Sequence, residues 1–374
     1  MADKERQRGR RRIREWGIMP GSLPAGDDNS ILDVDGVEVG QVTLIKGRGN
    51  IQPGRGPVRT GVTAIWPHRD NIYRNPVPAG VEVINGYGKA LGLAQIEELG
   101  ELASPIVLTG TLNVGRVADG LIDYMLKENP DIGIDSPSFN PVVLECNDGY
   151  LNDLQGRHVK REHVHRALII ADDEMVCEGD VGAGTGMTSF GFKGGVGTAS
   201  RVVRSGGEEM RLGAFVLNNF GRRENLLIDG LSLHRLDPDL LQGAARPQKD
   251  EDGSVIIIMA VDIPLTNRDL TRISRRAVHG LARVGSISAH GSGDFALAFS
   301  PATGENENYR EPGGKTLSKL FQAAAEATEE AVLNSLFMAA TMRGRDGHTS
   351  PGLPGRKVVA AYNELLSEDS LEGS

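Results

Sequence analysis

Ser254 stands between two segments of opposite character. Ahead of it runs Ala245-Arg246-Pro247-Gln248-Lys249-Asp250-Glu251-Asp252-Gly253, polar and charged; behind it runs Val255-Ile256-Ile257-Ile258-Met259-Ala260-Val261, apolar and strand-forming. A serine at the head of a buried strand, just past a glycine, is well placed to become a chain start. Cleavage before Ser254 would put an α-amino group, with a pKa of about 8 in model peptides, on the residue that already carries a hydroxyl nucleophile. A neutral amine there can act as base for its own side chain. The plainer reading of Gly253-Ser254 is a serine that caps a strand.

Four further segments carry polar side chains in arrangements that suit the same chemistry. His290-Gly291-Ser292-Gly293-Asp294 has glycines on both sides of Ser292, which permits close approach, and Asp294 can accept a hydrogen bond from the Ser292 hydroxyl. Most such pentapeptides are ordinary turns. In Glu145-Cys146-Asn147-Asp148-Gly149-Tyr150-Leu151-Asn152-Asp153 the acidic and amide groups are suited either to holding a substrate ammonium or to capping their own loop. Asn218-Asn219-Phe220-Gly221 ends a strand, where an asparagine N–H could donate to an oxyanion or merely support the turn at Gly221. Gly182-Ala183-Gly184-Thr185-Gly186-Met187 lacks the spacing of a dinucleotide loop and the Gly-Lys-Ser/Thr ending of a phosphate loop, so its glycines read as packing residues beside a site. His158, His163 and His165 lie in a charged, exposed-looking segment without a ligand pattern, so no metal site is expected. Cys146 is a remote candidate nucleophile only.

Alternating strand and helix patterns position these groups. Strands are expected at 61–66, 80–84, 141–145, 167–171, 213–217, 255–261 and 295–299, and helices over 88–102, 113–127, 267–284 and 316–342, with Thr266 as an N-cap. Residues 237–253 read as an exposed linker, and residues 1–30 as an arm whose basic cluster, Arg8 to Arg14, is solvated. No internal repeat or composition shift marks a second domain. The 374 residues, 39% hydrophobic and 24% charged, fit a soluble globular protein, and the 49 glycines imply many tight turns. The net charge of −9 argues against nucleic acid as a partner. No run is long enough to span a membrane, and no signal-peptide core follows the basic start. Two cysteines imply no disulfide framework, so a reducing cytoplasm is the expected location.

Several segments together resemble one family. They are Pro57-Val58-Arg59-Thr60-Gly61-Val62-Thr63-Ala64, Asn147 to Asp153, Gly182 to Met187, Phe192 to Arg201, Gly253 to Ile257 and Gly291 to Asp294. In this order the chain resembles the L-aminopeptidase/D-esterase (β-aminopeptidase) family of self-cleaving N-terminal-serine hydrolases, from about residue 30 to about residue 345. The resemblance implies an α+β fold, an αββα sandwich shaped like N-terminal-nucleophile hydrolases but of different topology. It implies one hydrolase domain over 31–374, self-cleaved into 1–253 and 254–374, after the arm at 1–30. Ser254 then matches the nucleophile, and Ser292 with Asp294 the supporting pair, Asp294 standing where relatives can have glutamate. Asn219, with Asn218 beside it, matches the oxyanion asparagine. Glu145 matches the carboxylate for the substrate ammonium, and Tyr150 or residue 147 an oxyanion tyrosine. The expected activity is release of N-terminal residues from small peptides, amides or esters through an acyl-enzyme, without metal or organic cofactor, by a homo-oligomer of cleaved heterodimers. The alternatives are an acyltransferase of the ornithine acetyltransferase type, which Ser254 in place of threonine disfavours, and a non-catalytic binding protein of the same fold.

Overall fold

A computed structural model describes residues 2–241, 252–302 and 312–372. The strands of its main sheets are β1 (Glu38–Lys46), β2 (Val58–Trp66), β3 (Val77–Gly86), β4 (Glu101–Leu102), β5 (Ile106–Gly110), β6 (Val142–Cys146), β7 (Gly195–Ser205), β8 (Glu208–Asn218), β9 (Asp252–Val261) and β10 (Gly291–Phe299). They form two sheets, of order β1-β2-β5-β6 and β4-β3-β10-β9-β8-β7. The pairs β5–β6 and β9–β10 are parallel, and the other neighbours are antiparallel. The main helices are α1 (Leu93–Leu99), α2 (Val114–Glu128), α3 (Arg161–Ile169), α4 (Asn267–Ser274), α5 (Ala277–Arg283), α6 (Gly314–Phe337) and α7 (Gly355–Glu372). Helices α2 and α3 cover the first sheet, α4 and α6 cover the second, and α5 packs on α6, giving an α+β sandwich of αββα layers. Among the described residues no helix is long and apolar enough to cross a membrane.

The β9 sequence shows how these layers arise. Side chains alternate across a strand. Val255, Ile257, Met259 and Val261 therefore join the apolar cluster beneath α4–α6, while Ile256, Ile258 and Ala260 join the cluster that fills the space between the sheets. All seven are fully buried, at about 2 kcal/mol for each larger side chain, so both faces of the strand are fixed and its register with them. The same alternation turns Ser254 towards the other sheet. Two glycines let the helices come down onto the strands. A Cβ at Gly197 of β7 would lie 1.9 Å from the carbonyl oxygen of Ala331 in α6, and one at Gly40 of β1 would lie 1.9 Å from that of Ala167 in α3.

Several elements differ from their sequence reading. Residues 167–171, read as a strand, are the end of α3 and the turn after it. Val164, Ala167 and Leu168 are buried at helical spacing, while Ile169 and Ile170 are exposed, so the short apolar run carried no reliable period. The helix expected over 88–102 shrinks to α1, held between Gly92 and Gly100, both left-handed. The helix expected over 267–284 is two helices, α4 and α5, with Thr266 capping the first by accepting from the Asp269 N–H. Ser254 is the third residue of β9, because the strand starts at Asp252. Ser292 and Asp294 lie in β10, not in the turn before it. Most of the expected 237–253 linker, residues 242–251, lies outside the described residues.

The basic arm is the largest correction: it is docked, not solvated. Ile13 and Ile18 are buried in the cluster beneath α6. Arg12 pairs with Glu178, Arg14 with Glu330 at 2.8 Å, and Arg10 with Asp180 at 2.5 Å. These carboxylates are almost fully buried, and an unpaired buried charge is costly. The arginines answer charges far away in sequence, so the local run reads as surface while the fold uses it as counter-charge. Glu330 also meets the fully buried Arg201 at 2.8 Å.

Candidate active site

Three strand ends meet around Ser254. The backbone of Asn219, one residue past β8, exchanges two hydrogen bonds with Ser254: Asn219 N donates to Ser254 O at 3.0 Å, and Ser254 N donates to Asn219 O at 3.2 Å. This pairing carries the Asn219 amide to the serine, where its Nδ2 donates to Ser254 Oγ at 3.2 Å. The backbone N–H of Asn147, one residue past β6, donates to the same Oγ at 3.2 Å. Ser254 and Asn219 are both about 4% exposed, so these donors act in a nearly dry environment, where they count for more than in water.

Asn219 is itself locked. Its Oδ1 accepts from the Thr188 N–H at 2.9 Å, which fixes which end of the amide faces Ser254. Thr188 follows the glycine-rich segment, whose carbonyls at Gly184 and Met187 accept from Lys193 Nζ at 2.9 and 2.7 Å, as does that of Gly194 beyond it at 2.6 Å. Lys193 is fully buried, and burial lowers its pKa to about 7, against the opposing pull of Asp180. Asn218 points elsewhere. Its Oδ1 accepts from Ser189 Oγ at 2.7 Å, and its Nδ2 donates to Ser335 Oγ of α6 at 2.8 Å. Of the two asparagines, Asn219 alone is brought to Ser254.

Ser292 and Asp294 lie on β10, which runs parallel to β9 with Gly253 opposite Ser292 and Val255 opposite Asp294. Ser292 Oγ donates to Asp294 Oδ1 at 2.5 Å, and Asp294 Oδ2 is buried without a partner. Burial raises the Asp294 carboxyl above its ordinary range, with the Ser292 and Ser288 hydroxyls pulling the other way. Behind this pair, Asn85 Nδ2 donates to the carbonyls of Ala289 and Ser292, at 2.7 Å each, and holds the turn into β10. A Cβ at Gly253 would lie 3.2 Å from Ser292 Oγ and 3.0 Å from Phe220 Cβ, so the position before Ser254 is too tight for a side chain without displacement.

The segment after β6 divides its labour. Glu145 is 4% exposed; its Oε1 accepts from the Lys89 N–H at 3.0 Å and lies 3.6 Å from Lys89 Nζ, while Oε2 is buried without a partner. That open oxygen leaves the carboxylate able to receive a further cation. Asp148 is buried with Oδ1 accepting from Asn152 Nδ2 at 3.1 Å; burial raises its pKa to about 7, and Glu145 adds to the rise. Tyr150 stacks on His348 with ring centroids 4.6 Å apart, and the backbone amide of Asn147 is a second donor at Ser254 Oγ. The Cys146 thiol donates to Leu217 O at 3.4 Å, and burial holds its pKa well above the ordinary value, so it is no thiolate nucleophile. The histidines are dispersed: His158 bonds Asp153, His163 caps the start of α3, and His165 bonds the Gly120 carbonyl.

Thr188, Lys193, Asn85 and the Asn147 amide were not singled out from sequence for this site. The glycine density around Thr188 and Lys193 was the available signal for the first two. A backbone donor leaves none.

Two sheets between helices, with polar groups gathered where the strand ends of both sheets meet, make an αββα sandwich of the kind seen in N-terminal-nucleophile hydrolases. The sequence model of peptidase family S58 matches residues 29–350, and the chain belongs to that family. It is 40% identical to the beta-peptidyl aminopeptidase BapA of Sphingosinicella microcystinivorans, over 95% of this chain and 93% of that protein. Among solved structures it is similar to the PH0078 protein of Pyrococcus horikoshii OT3 (TM-score 0.87, 49% identity, 95% and 99% of the two chains covered). It is also similar to the L-aminopeptidase D-Ala-esterase/amidase of Ochrobactrum anthropi (TM-score 0.84, 34% identity, 95% and 98% covered), described as a variant of the Ntn hydrolase fold. The expected family and fold are borne out, and the acyltransferase alternative is not favoured.

Proposed function

We propose that this peptidase is a self-cleaving serine aminopeptidase and amidase or esterase with Ser254 as its nucleophile. The observation that carries the reading is the convergence of Asn219 Nδ2 and Asn147 N on the buried Ser254 Oγ. In maturation Ser254 Oγ adds to the Gly253 carbonyl carbon, the Gly253–Ser254 C–N bond breaks as the nitrogen takes up a proton, and an ester forms. Water then hydrolyses the ester, leaving a Gly253 carboxylate and a Ser254 that carries both a free amine and its hydroxyl. The aminopeptidase and esterase names of its relatives fit the second use of the same groups. The Ser254 amine takes the hydroxyl proton, Oγ attacks the substrate carbonyl, the amine or alcohol leaves protonated, and water releases the acyl group. Asn219 and the Asn147 N–H stabilise the oxyanion, an effect of about 3–4 kcal/mol for one such donor. Glu145, with its open Oε2, receives the substrate ammonium. Ser292 and Asp294 support the amine end of Ser254, and the scheme needs no cofactor. Edman sequencing of the purified protein tests it: a chain beginning Ser-Val-Ile-Ile is expected, and a single uncut chain of 40.0 kDa without turnover of amino-acid p-nitroanilides would refute it.

A further inference from the structure

Where Ile45 of β1 and Arg59 of β2 meet Asp180 and the 340–347 segment lies a second cavity, of about 650 Å³, that the chemistry above does not use. Arg6, Arg10, Arg48, Arg59 and Arg343 line it, with Asp180. Asp180 is fully engaged: one oxygen meets Arg6 at 2.8 Å, and the other meets Arg10 at 2.5 Å and accepts from the Ala340 N–H at 3.1 Å. Five guanidinium groups against one carboxylate leave four positive charges uncompensated within the lining. This happens in a chain whose net charge is −9.

Arg59 shows that the surplus is built in. It is 6% exposed, and its guanidinium donates to the backbone carbonyls of Arg343, Lys46, Val58 and Gly47 at 2.8, 3.1, 2.7 and 3.2 Å. Carbonyl dipoles fix its direction but carry no counter-charge. Burial, then the neighbouring cations Arg48 and Arg6, lower its pKa. Arg48 and Arg343 are exposed at the rim, and among the described residues neither has an ion-pair partner. A buried cation without an anion is costly, and rigidly held arginine forks match tetrahedral and planar oxyanions. The volume suits a small molecule, not a polymer.

We propose that this cavity is a binding site for a small multivalent oxyanion, a phosphate- or pyrophosphate-bearing molecule, separate from the Ser254 site. The ligand's oxygens take the place of the missing carboxylates: Arg59 and Arg10 hold it from inside, and Arg48 and Arg343 close over it from the rim.

The test is isothermal titration calorimetry of the purified protein with inorganic pyrophosphate, with inorganic phosphate and citrate in parallel, at ionic strength held constant with sodium chloride. Pyrophosphate is expected to bind saturably at one site per chain. The Arg48→Ser/Arg343→Ser double variant, altered only at exposed side chains, is expected to bind at least tenfold more weakly with an unchanged circular dichroism spectrum. Citrate binding as tightly as pyrophosphate would assign the site to polycarboxylates and overturn the phosphate assignment. No heat beyond the chloride control, or equal binding by the double variant, would overturn the site. Displacement of pyrophosphate by an amino-acid amide would move the anion to the Ser254 pocket and overturn it as well. The readout is binding, so it stands apart from whether Ser254 is the nucleophile.

Discussion

Replacing Asn219 separates two things that one amide does. Its Nδ2 faces Ser254 Oγ at 3.2 Å, and its Oδ1 satisfies the Thr188 N–H at 2.9 Å. Asn219→Ala removes both. Loss of an oxyanion donor is expected to lower kcat by about 100- to 1,000-fold, or about 2.7–4 kcal/mol. The orphaned Thr188 N–H, in a buried setting, should also destabilise the fold by about 1–3 kcal/mol. Asn219→Asp keeps an acceptor for Thr188 but replaces the donor with a carboxyl group, whose charge is costly to bury. It should match the alanine variant in lost rate, and its denaturant midpoint should rise towards that of the wild type as the pH is lowered and the carboxyl is protonated. Asn218→Ala should do the reverse: it breaks the contacts to Ser189 and Ser335, so stability falls while the rate per cut chain holds to within about threefold. The assay is p-nitroanilide hydrolysis normalised to the cut fraction on a denaturing gel, with urea unfolding alongside. The proposed self-cleavage uses the same donors, so the Asn219 variants should also mature slowly. A kcat for Asn219→Ala within threefold of the wild type would refute the reasoning, and so would an Asn218 effect on rate as large as that of Asn219.

Three further outcomes are expected. Glu145→Gln should lower kcat/KM for free-amine substrates by about tenfold or more, some 1.4 kcal/mol, and leave N-acetylated substrates and self-cleavage unchanged; equal turnover of blocked and free substrates by the wild type would remove the ammonium role. Gly253→Ala should slow self-cleavage by about tenfold, because its Cβ would press on Phe220 Cβ at 3.0 Å and on Ser292 Oγ at 3.2 Å, and a time course of band conversion as fast as the wild type would contradict this. Asp148, raised from 3.8 to about 7, has the sign of a buried acid that prefers to be protonated. Its favourable contribution is complete below pH 3.8 and is lost as pH rises to about 7, so Asp148→Asn should flatten the fall of wild-type stability between pH 4 and 7, as read by thermal unfolding at a series of pH values.

Much of the layout is legible in the chain, and the reasons it was legible are local. The run from Val255 to Val261 has too many β-branched residues to be anything but a strand, and the spacing of α2 and α6 is long enough to carry a clear period. The departures come where the deciding partner is remote. Arg12 and Arg14 look like surface charge until Glu178 and Glu330, 166 and 316 residues away, are brought to them. Ala167 to Ala171 looks like a strand until one sees that Ala167, Leu168 and Ala171 are buried at helical spacing while Ile169 and Ile170 are exposed. At the site, serine, asparagine and glutamate could be chosen from their neighbours in sequence, but the choice between Tyr150 and residue 147 could not. The donor at 147 is a main-chain amide, which every residue but proline possesses, and only the meeting of β6 with β9 gives it a target.

That meeting also supports the proposal that one serine serves both reactions. Gly253 stands immediately before Ser254, where a Cβ would press on Phe220 and Ser292. In the proposed scheme it occupies the place that the acyl part of a substrate would later take, so the uncut chain would be its own first substrate. Ser254 N already faces the Asn219 carbonyl at 3.2 Å before it becomes an amine, and Oγ already faces both donors. The proposed cleavage would therefore need no new arrangement of the nucleophile; it would convert a peptide nitrogen into a base and remove residue 253 from the attack position. If this is right, acetylation of the new amine should abolish turnover while leaving the cut protein folded and the Oγ contacts intact. Full activity after acetylation confirmed by mass spectrometry would mean that the proton leaves Oγ by another route, and Asp294, already raised by burial and tied to Ser292, would be the group to test next.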